Sequence, residues 1–192
     1  MTSLVVGDDG LARCAWAGST PDYTAYHDGE WGREVHGERA LFERITLEAF
    51  QSGLSWLTIL RKREGFRAAF AGFDADAVAT YTDDDLARLM ADTAIVRNHA
   101  KIRAAITNAR AVVDLRDDGG LDALVWSFQP ARRPRRPAAL SDVPAITPES
   151  TALSKALKRK GFVFVGPTTA YAAMQACGLV DDHVEGCHVA AA

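Results

Sequence analysis

Apolar residues three and four apart recur along nearly the whole chain, and that period commits it to helices packed on helices. Ile102, Ala105, Ile106, Ala109, Val112 and Val113 show it best and predict a long amphipathic helix from about Asn98 to Arg116. Thr82, followed by Asp83, Asp84 and Asp85 and then Leu86, Leu89 and Met90, predicts a capped helix start. Its acidic first turn meets the positive end of the helix dipole. Ser55 is the candidate cap for a helix through Trp56, Leu57 and Leu60, and Leu41, Phe42, Ile45 and Ala49 mark a buried stripe within Glu38 to Ser52. Leu153, Ala156 and Leu157 predict a helix closed at Gly161, and Pro167 opens a last one through Tyr171, Met174 and Gln175 that ends at Gly178. The only strand-like stretch, Phe162-Val-Phe-Val165, is too short and isolated to build a sheet. The expected fold class is all-α.

At 192 residues the chain suits one domain. Residues 1–13 read as a disordered extension and residues 14–192 as a single helical domain, with the Pro-rich segment from Pro130 to Pro148 an internal connection and no repeats. The start lacks the basic and apolar regions of a signal peptide, and the apolar runs fall far short of a membrane span, so a cytoplasmic location is expected. A net charge of −3 argues mildly against a coater of nucleic acid but leaves local basic clusters to consider. Those are Arg61, Lys62, Arg63 and Arg67; Arg97, Lys101 and Arg103; and Lys155, Lys158, Arg159 and Lys160. Each reads equally as a solvated helix face or as a set of phosphate contacts. The prolines in Arg132-Arg133-Pro134-Arg135-Arg136-Pro137 forbid a regular helix and predict a surface loop.

Three cysteines, Cys14, Cys177 and Cys187, are too few and odd in number for a disulfide framework. His183 and Cys187 stand four apart, so one helical turn would put both on one face, and Cys14 and His27 form a second pair near the other end. Two thiolates with two imidazoles suit tetrahedral zinc; unrelated buried thiols and a surface histidine are the other reading of the same spacing. Four protein ligands would leave no position for water, making the metal a structural clip between the N-terminal segment and the C-terminus. Cys177 reads as a small core residue, His188 as a spare ligand ranked behind Cys187, and His36 and His99 as solvated.

Glu48 lies on the inner edge of the Leu41–Ile45 stripe, where an ionised carboxylate is costly unless it is paired or faces a cavity. An Arg44–Glu48 surface pair four residues apart explains the spacing as well. The surroundings favour a cavity. Gly53-Leu54-Ser55-Trp56 follows closely, and Trp16, Tyr23, Tyr26 and Trp31 crowd the region upstream. A carboxylate among electron-rich rings favours a flat cation over a neutral ring.

Cys14-Ala-Trp16, Tyr23-Thr-Ala-Tyr26-His27-Asp28-Gly-Glu30-Trp31-Gly32, Leu47-Glu48 and Gly53-Leu54-Ser55-Trp56 resemble the signature of the DNA-3-methyladenine glycosylase I family. So do Ala152-Leu-Ser-Lys-Ala-Leu157, Gly161-Phe-Val-Phe-Val-Gly166, and Met174-Gln-Ala-Cys-Gly-Leu-Val-Asp-Asp-His183 with Cys187. The resemblance runs from Cys14 to Cys187. It implies a helix-hairpin-helix glycosylase-like domain of two lobes, one structural zinc on Cys14, His27, His183 and Cys187, and a monomer acting on double-stranded DNA that contains 3-methyladenine. It places Glu48 against the polar edge of the flipped base as the catalytic residue, Trp56 on its face, and Tyr26 in a hydrogen bond to it. Trp16, Tyr23 and Trp31 would line the pocket, and Leu54, on the turn at Gly53, would wedge into the gap left in the stack. The hairpin would lie near Asp92-Thr-Ala-Ile-Val-Arg97, bringing Arg97 and the first amides of the Asn98 helix to the phosphates. Ala94 stands where family members usually carry glycine. The family's cysteine-rich tail is here His188-Val-Ala-Ala-Ala192, which makes His188 a possible substitute ligand. The family lacks the aspartate with which the wider superfamily assists water, and no candidate for it stands out here.

Two rival readings remain at this level. A zinc-clipped helical DNA-binding module without catalysis would have no need of Glu48 in an aromatic pocket, and a helical zinc hydrolase would need an open coordination position.

Overall fold

The computed structural model describes residues 3–189; Met1, Thr2 and the last three alanines lie outside it. In chain order, the described residues form strands β1 (Leu4–Val6) and β2 (Ala12–Cys14), then helices α1 (Pro21–Gly29), α2 (Glu38–Gln51), α3 (Trp56–Ala69) and α4 (Ala75–Ala79). These are followed by α5 (Asp83–Ala91), α6 (His99–Leu115), α7 (Gly120–Trp126), α8 (Pro148–Arg159) and α9 (Pro167–Ala176). Among the described residues no helix is long and apolar enough to cross a membrane.

The helix starts follow the expected capping chemistry. Ser55 Oγ accepts from the Thr58 amide, Asn98 Oδ1 from the Lys101 amide, and Asp85 Oδ2 from the Thr82 amide. Gly161 at φ 90° and Gly178 at φ 76° close α8 and α9 in the left-handed conformation. Helix α2 is the hub: it packs against α3, α6, α7 and α9, and α9 also packs on α8. Leu41, Phe42, Leu47 and Phe50 of α2 are fully buried with Ile59 and Phe66 of α3. This central position carries Glu48 into the interior.

Helices α5 and α6 with the turn between them form the expected hairpin. Asp92 Oδ1 accepts from the Ala94 amide within it. Among the described residues, those other than glycine with positive φ are Ala71, Phe73 and Phe164, so the turn holds Ala94 without a left-handed backbone. The glycine this junction does need is Gly65 of α3, where an added Cβ would lie 2.6 Å from the Ala94 carbonyl oxygen.

Two expectations need correction. The segment before Cys14 is a hairpin rather than a disordered extension from residue 3 onward, with Leu4 opposite Cys14, Val5 opposite Arg13 and Val6 opposite Ala12. Its strands are too short to show alternation, and tertiary partners hold them: Arg13 bonds both Asp9 and Asp28. Phe162–Val165 builds no sheet, as expected. Asn108 takes the place of a sheet neighbour, its Oδ1 accepting from the Val163 amide and its Nδ2 donating to the Val163 carbonyl. His183 and Cys187 do not share a helical turn; they lie in the loop after α9, brought together by a turn in which the Cys187 amide donates to the Val184 carbonyl. The Arg132–Pro137 run is a loop as expected, and Arg136 ties it to buried Asp181 at 2.8 Å and to the Val189 carbonyl at 2.7 Å.

Candidate active site and metal centre

Cys14 ends β2, His27 lies in the last turn of α1, and His183 and Cys187 come from the loop after α9. All four are buried, and their donor atoms lie within 4.8 Å of one another. His27 Nε2 is 3.2 Å from His183 Nδ1 and 3.5 Å from Cys187 Sγ; His183 Nδ1 is 3.6 Å from Cys187 Sγ and 3.9 Å from Cys14 Sγ. Bond lengths of about 2.0–2.3 Å in a tetrahedron give donor separations of about 3.3–3.8 Å, so the set fits a tetrahedral ion. The other ring nitrogens are bonded outward. His27 Nδ1 is 2.7 Å from Asp28 Oδ1, and His183 Nε2 is 3.2 Å from the Trp31 carbonyl oxygen. These partners fix the tautomers that aim a lone pair inward from each imidazole. Burial pushes the Cys14 thiol up to about 12, a penalty that a bound dication would remove. His188 is not a fifth donor: its Nε2 bonds Asp28 Oδ1 at 3.1 Å and so braces His27 at one remove.

One aromatic wall joins this cluster to a hollow. The Trp16 ring lies 5.1 Å from His27, 5.1 Å from Trp31 and 4.9 Å from Tyr23, and Trp31 lies 4.7 Å from His183. On their other side Trp16, Tyr23, Tyr26, Trp31, Glu48 and Trp56 enclose a space of about 160 Å³, completed by Gln51, Ala172 and Gln175. A cavity of roughly 150 Å³ takes one benzene ring, so this open hollow is sized for a single flat ring system.

Glu48 settles the choice left open above. It is 6% exposed, so the surface-pair reading fails. Arg44 pairs with Glu30 instead, at 2.8 Å, beside the bidentate Arg63. Among the described residues nothing hydrogen-bonds the Glu48 carboxyl; burial pushes its pKa up to about 8, with the Arg44 charge opposing. The Trp56 indole nitrogen is likewise buried with no acceptor. A carboxyl left without a partner on the wall of a hollow makes that hollow receptive to a polar-edged ligand.

Glu48, Gln51 and Ala172 also border a second hollow of about 320 Å³, lined by Ser52, Gly53, Leu54 and two threonines of α9. Gly53, at φ 79°, turns the chain so that Leu54 stands 41% exposed at this mouth. Arg97 is exposed on the α5–α6 hairpin and does not line either hollow.

Sequence reasoning missed Gln51, Ala172 and Gln175. Gln51 was within reach, one helical turn after Glu48, whereas the two α9 residues join the hollow only when α9 packs on α2. The basic clusters also sort themselves. Arg61 pairs with Asp22, Lys62 with the Thr93 carbonyl, Arg63 with Glu30 and Arg67 with Glu43. Lys101 neither faces water nor reaches for phosphate: it is buried and its ammonium donates to the Phe50 carbonyl at 2.8 Å and the Ser52 carbonyl at 2.5 Å. It caps α2 and holds the loop that presents Gly53 and Leu54.

By class, this is the fold of DNA glycosylases. The chain aligns with a crystal structure of 3-methyladenine DNA glycosylase I over 92% of its own length and 98% of that chain, at 47% identity and a TM-score of 0.88. It aligns with the Staphylococcus aureus 3-methyladenine DNA glycosylase I, in a structure concerned with 3-methyladenine recognition, over 92% of this chain and 95% of that one, at 35% identity and a TM-score of 0.87. More narrowly, the chain belongs to the methyladenine glycosylase family, whose model matches residues 16–190. The Escherichia coli K12 DNA-3-methyladenine glycosylase 1 is 48% identical over 181 residues, which is 92% of this chain and 96% of that relative.

Proposed function

We propose that the protein hydrolyses the N-glycosidic bond of 3-methyladenine in alkylated double-stranded DNA, as a monomer and without a lyase step, leaving an abasic site. The observation that carries this reading is the buried Glu48 carboxyl, without a hydrogen bond among the described residues, in a ring-walled hollow sized for one flat ring system. Methylation gives the adenine in DNA a positive charge that normal adenine lacks. In the empty hollow the raised pKa keeps Glu48 protonated at neutral pH; a cationic base supplies the opposite charge that lets it ionise. A neutral adenine supplies none, so charge separates damaged from normal bases.

The base must leave the stack to reach the hollow, and damage lowers that cost. Leu54 fills the vacated place, while Arg97 and the amides at the start of α6 hold the backbone. Trp56 stacks on the base, Tyr26 bonds it, and Trp16, Tyr23 and Trp31 close the walls. Water attacks the anomeric carbon as the bond to the base breaks. The electron pair goes to the base, which leaves neutral, and the proton from water passes to solvent. Because the leaving group is already activated, positioning and charge do most of what catalysis requires.

In the clip, Cys14 Sγ, His27 Nε2, His183 Nδ1 and Cys187 Sγ would hold one zinc. With four protein ligands such an ion would staple the fold and leave no open coordination position for water.

The test is to incubate purified protein with methylated DNA and identify the freed base by chromatography. We expect 3-methyladenine, with strands intact until alkali treatment. Binding without release of any base would instead make the chain a zinc-clipped DNA-binding module.

A further inference from the structure

Gln175 lines the hollow from α9, opposite the helix that carries Glu48. Its side-chain nitrogen donates to Asp182 Oδ2 at 2.7 Å, and the same oxygen accepts from the Tyr171 hydroxyl at 2.6 Å. Asp182 and Tyr171 are both buried. A carboxylate oxygen only accepts, so the amide end facing it must be the NH₂. The two ends of a glutamine amide are normally interchangeable; here Asp182 removes the choice. The carbonyl oxygen is left without a donor among the described residues, on a residue that borders the hollow.

Resting on the glycosylase reading above, we infer that Gln175 is a specificity-determining residue, its carbonyl oxygen selecting alkylated adenine over alkylated guanine, with Asp182 and Tyr171 as positioning residues. The six-membered edge of adenine presents an amino group where guanine presents a carbonyl oxygen. A fixed acceptor accepts from the first and repels the second. Glu48 responds to charge, which 3-methyladenine and 3-methylguanine share, and so cannot tell them apart by charge alone. The locked amide supplies what the carboxyl lacks.

The experiment compares the wild type with Gln175→Met and Gln175→Glu on one preparation of methylated DNA. The rates of release of 3-methyladenine and 3-methylguanine are measured by chromatography, with melting temperature and zinc content as checks of the fold. Methionine keeps the volume and loses the acceptor, so the ratio of the two rates should fall about tenfold, the worth of one hydrogen bond together with the lost repulsion. Glutamate keeps an oxygen acceptor on the same stem, so its ratio should stay near that of the wild type. Titration of the free bases into each variant should show the same order of preference. An unchanged ratio in a folded Gln175→Met protein, or an equal loss in both variants, overturns the inference while leaving the glycosylase reading intact. Release of neither base by the wild type overturns both.

Discussion

The clip and the hollow share the Trp16–Trp31 wall, yet they treat polar groups in opposite ways. In the clip every donor atom meets others of its set, and each imidazole has an outward partner, Asp28 for His27 and the Trp31 carbonyl for His183. In the hollow the Glu48 carboxyl is buried with no hydrogen-bond partner among the described residues. Burying an unmet polar group costs free energy, so such groups persist where something outside the chain meets them. The satisfied cluster therefore fits architecture and the unpartnered carboxyl fits the proposed place of reaction, although both are built from ionisable residues.

Breaking the clip should have the largest effect. Cys187→Ser, or chelation of the wild type, should cost about 3–5 kcal/mol of stability, the scale for orphaning a buried charged partner, and lower the zinc content measured by atomic absorption. Activity per folded molecule should change little; a first-order loss of rate in a protein that still melts normally would make the metal catalytic. Glu48→Gln should do the reverse. Release of 3-methyladenine should fall about 100-fold, within the range for loss of one positioned charged group, while stability rises.

The sign of that rise follows from linkage. The folded-state pKa of Glu48 is about 8 against an ordinary value of 4.5, so between those values the native state holds a proton that the unfolded state has lost. Stability of the wild type therefore declines as pH rises through this window. The stabilisation by glutamine should be absent near pH 4.5 and reach about 2–4 kcal/mol by pH 8, read from paired melts. Equal melting temperatures at every pH would mean that Glu48 is not buried as an unpartnered acid.

Lys101→Met probes the seam between the hub helix and the Gly53–Leu54 loop. It removes the donors of the Phe50 and Ser52 carbonyls and should cost about 1–3 kcal/mol, with KM for methylated DNA rising more than kcat falls. A variant with the wild-type salt dependence lost as well would return Lys101 to the phosphate contacts. Trp56→Ala should have the smallest effect, weakening free 3-methyladenine about tenfold by calorimetry, the low end for loss of a stacked ring. Unchanged affinity would put the stacking face on another of the hollow's rings.

Helices whose period and caps are local were legible in the sequence: α6 behind Asn98, α3 behind Ser55, α5 behind Thr82 and α9 from Pro167. The Cys/His pairs and Glu48 were legible as candidates, because residue type and spacing limit their chemistry. Their company was not. The β1–β2 hairpin escaped because strands of three residues carry too little pattern, and Lys101 because no local rule sends an ammonium to the carbonyls of a helix fifty residues earlier.

By itself the sequence determined that this chain would be helical, which atoms were available to bind a metal, and which acid lay on an apolar stripe, since these depend on residues a few positions apart. Tertiary structure alone decided that Arg44 would turn to Glu30 and leave Glu48 unpaired, that Asp182 would accept from Gln175, and that two cysteines and two histidines from the two ends of the chain would meet. The physical reason is that pairing and desolvation depend on everything within a few ångströms, and packing brings those neighbours from distant parts of the chain.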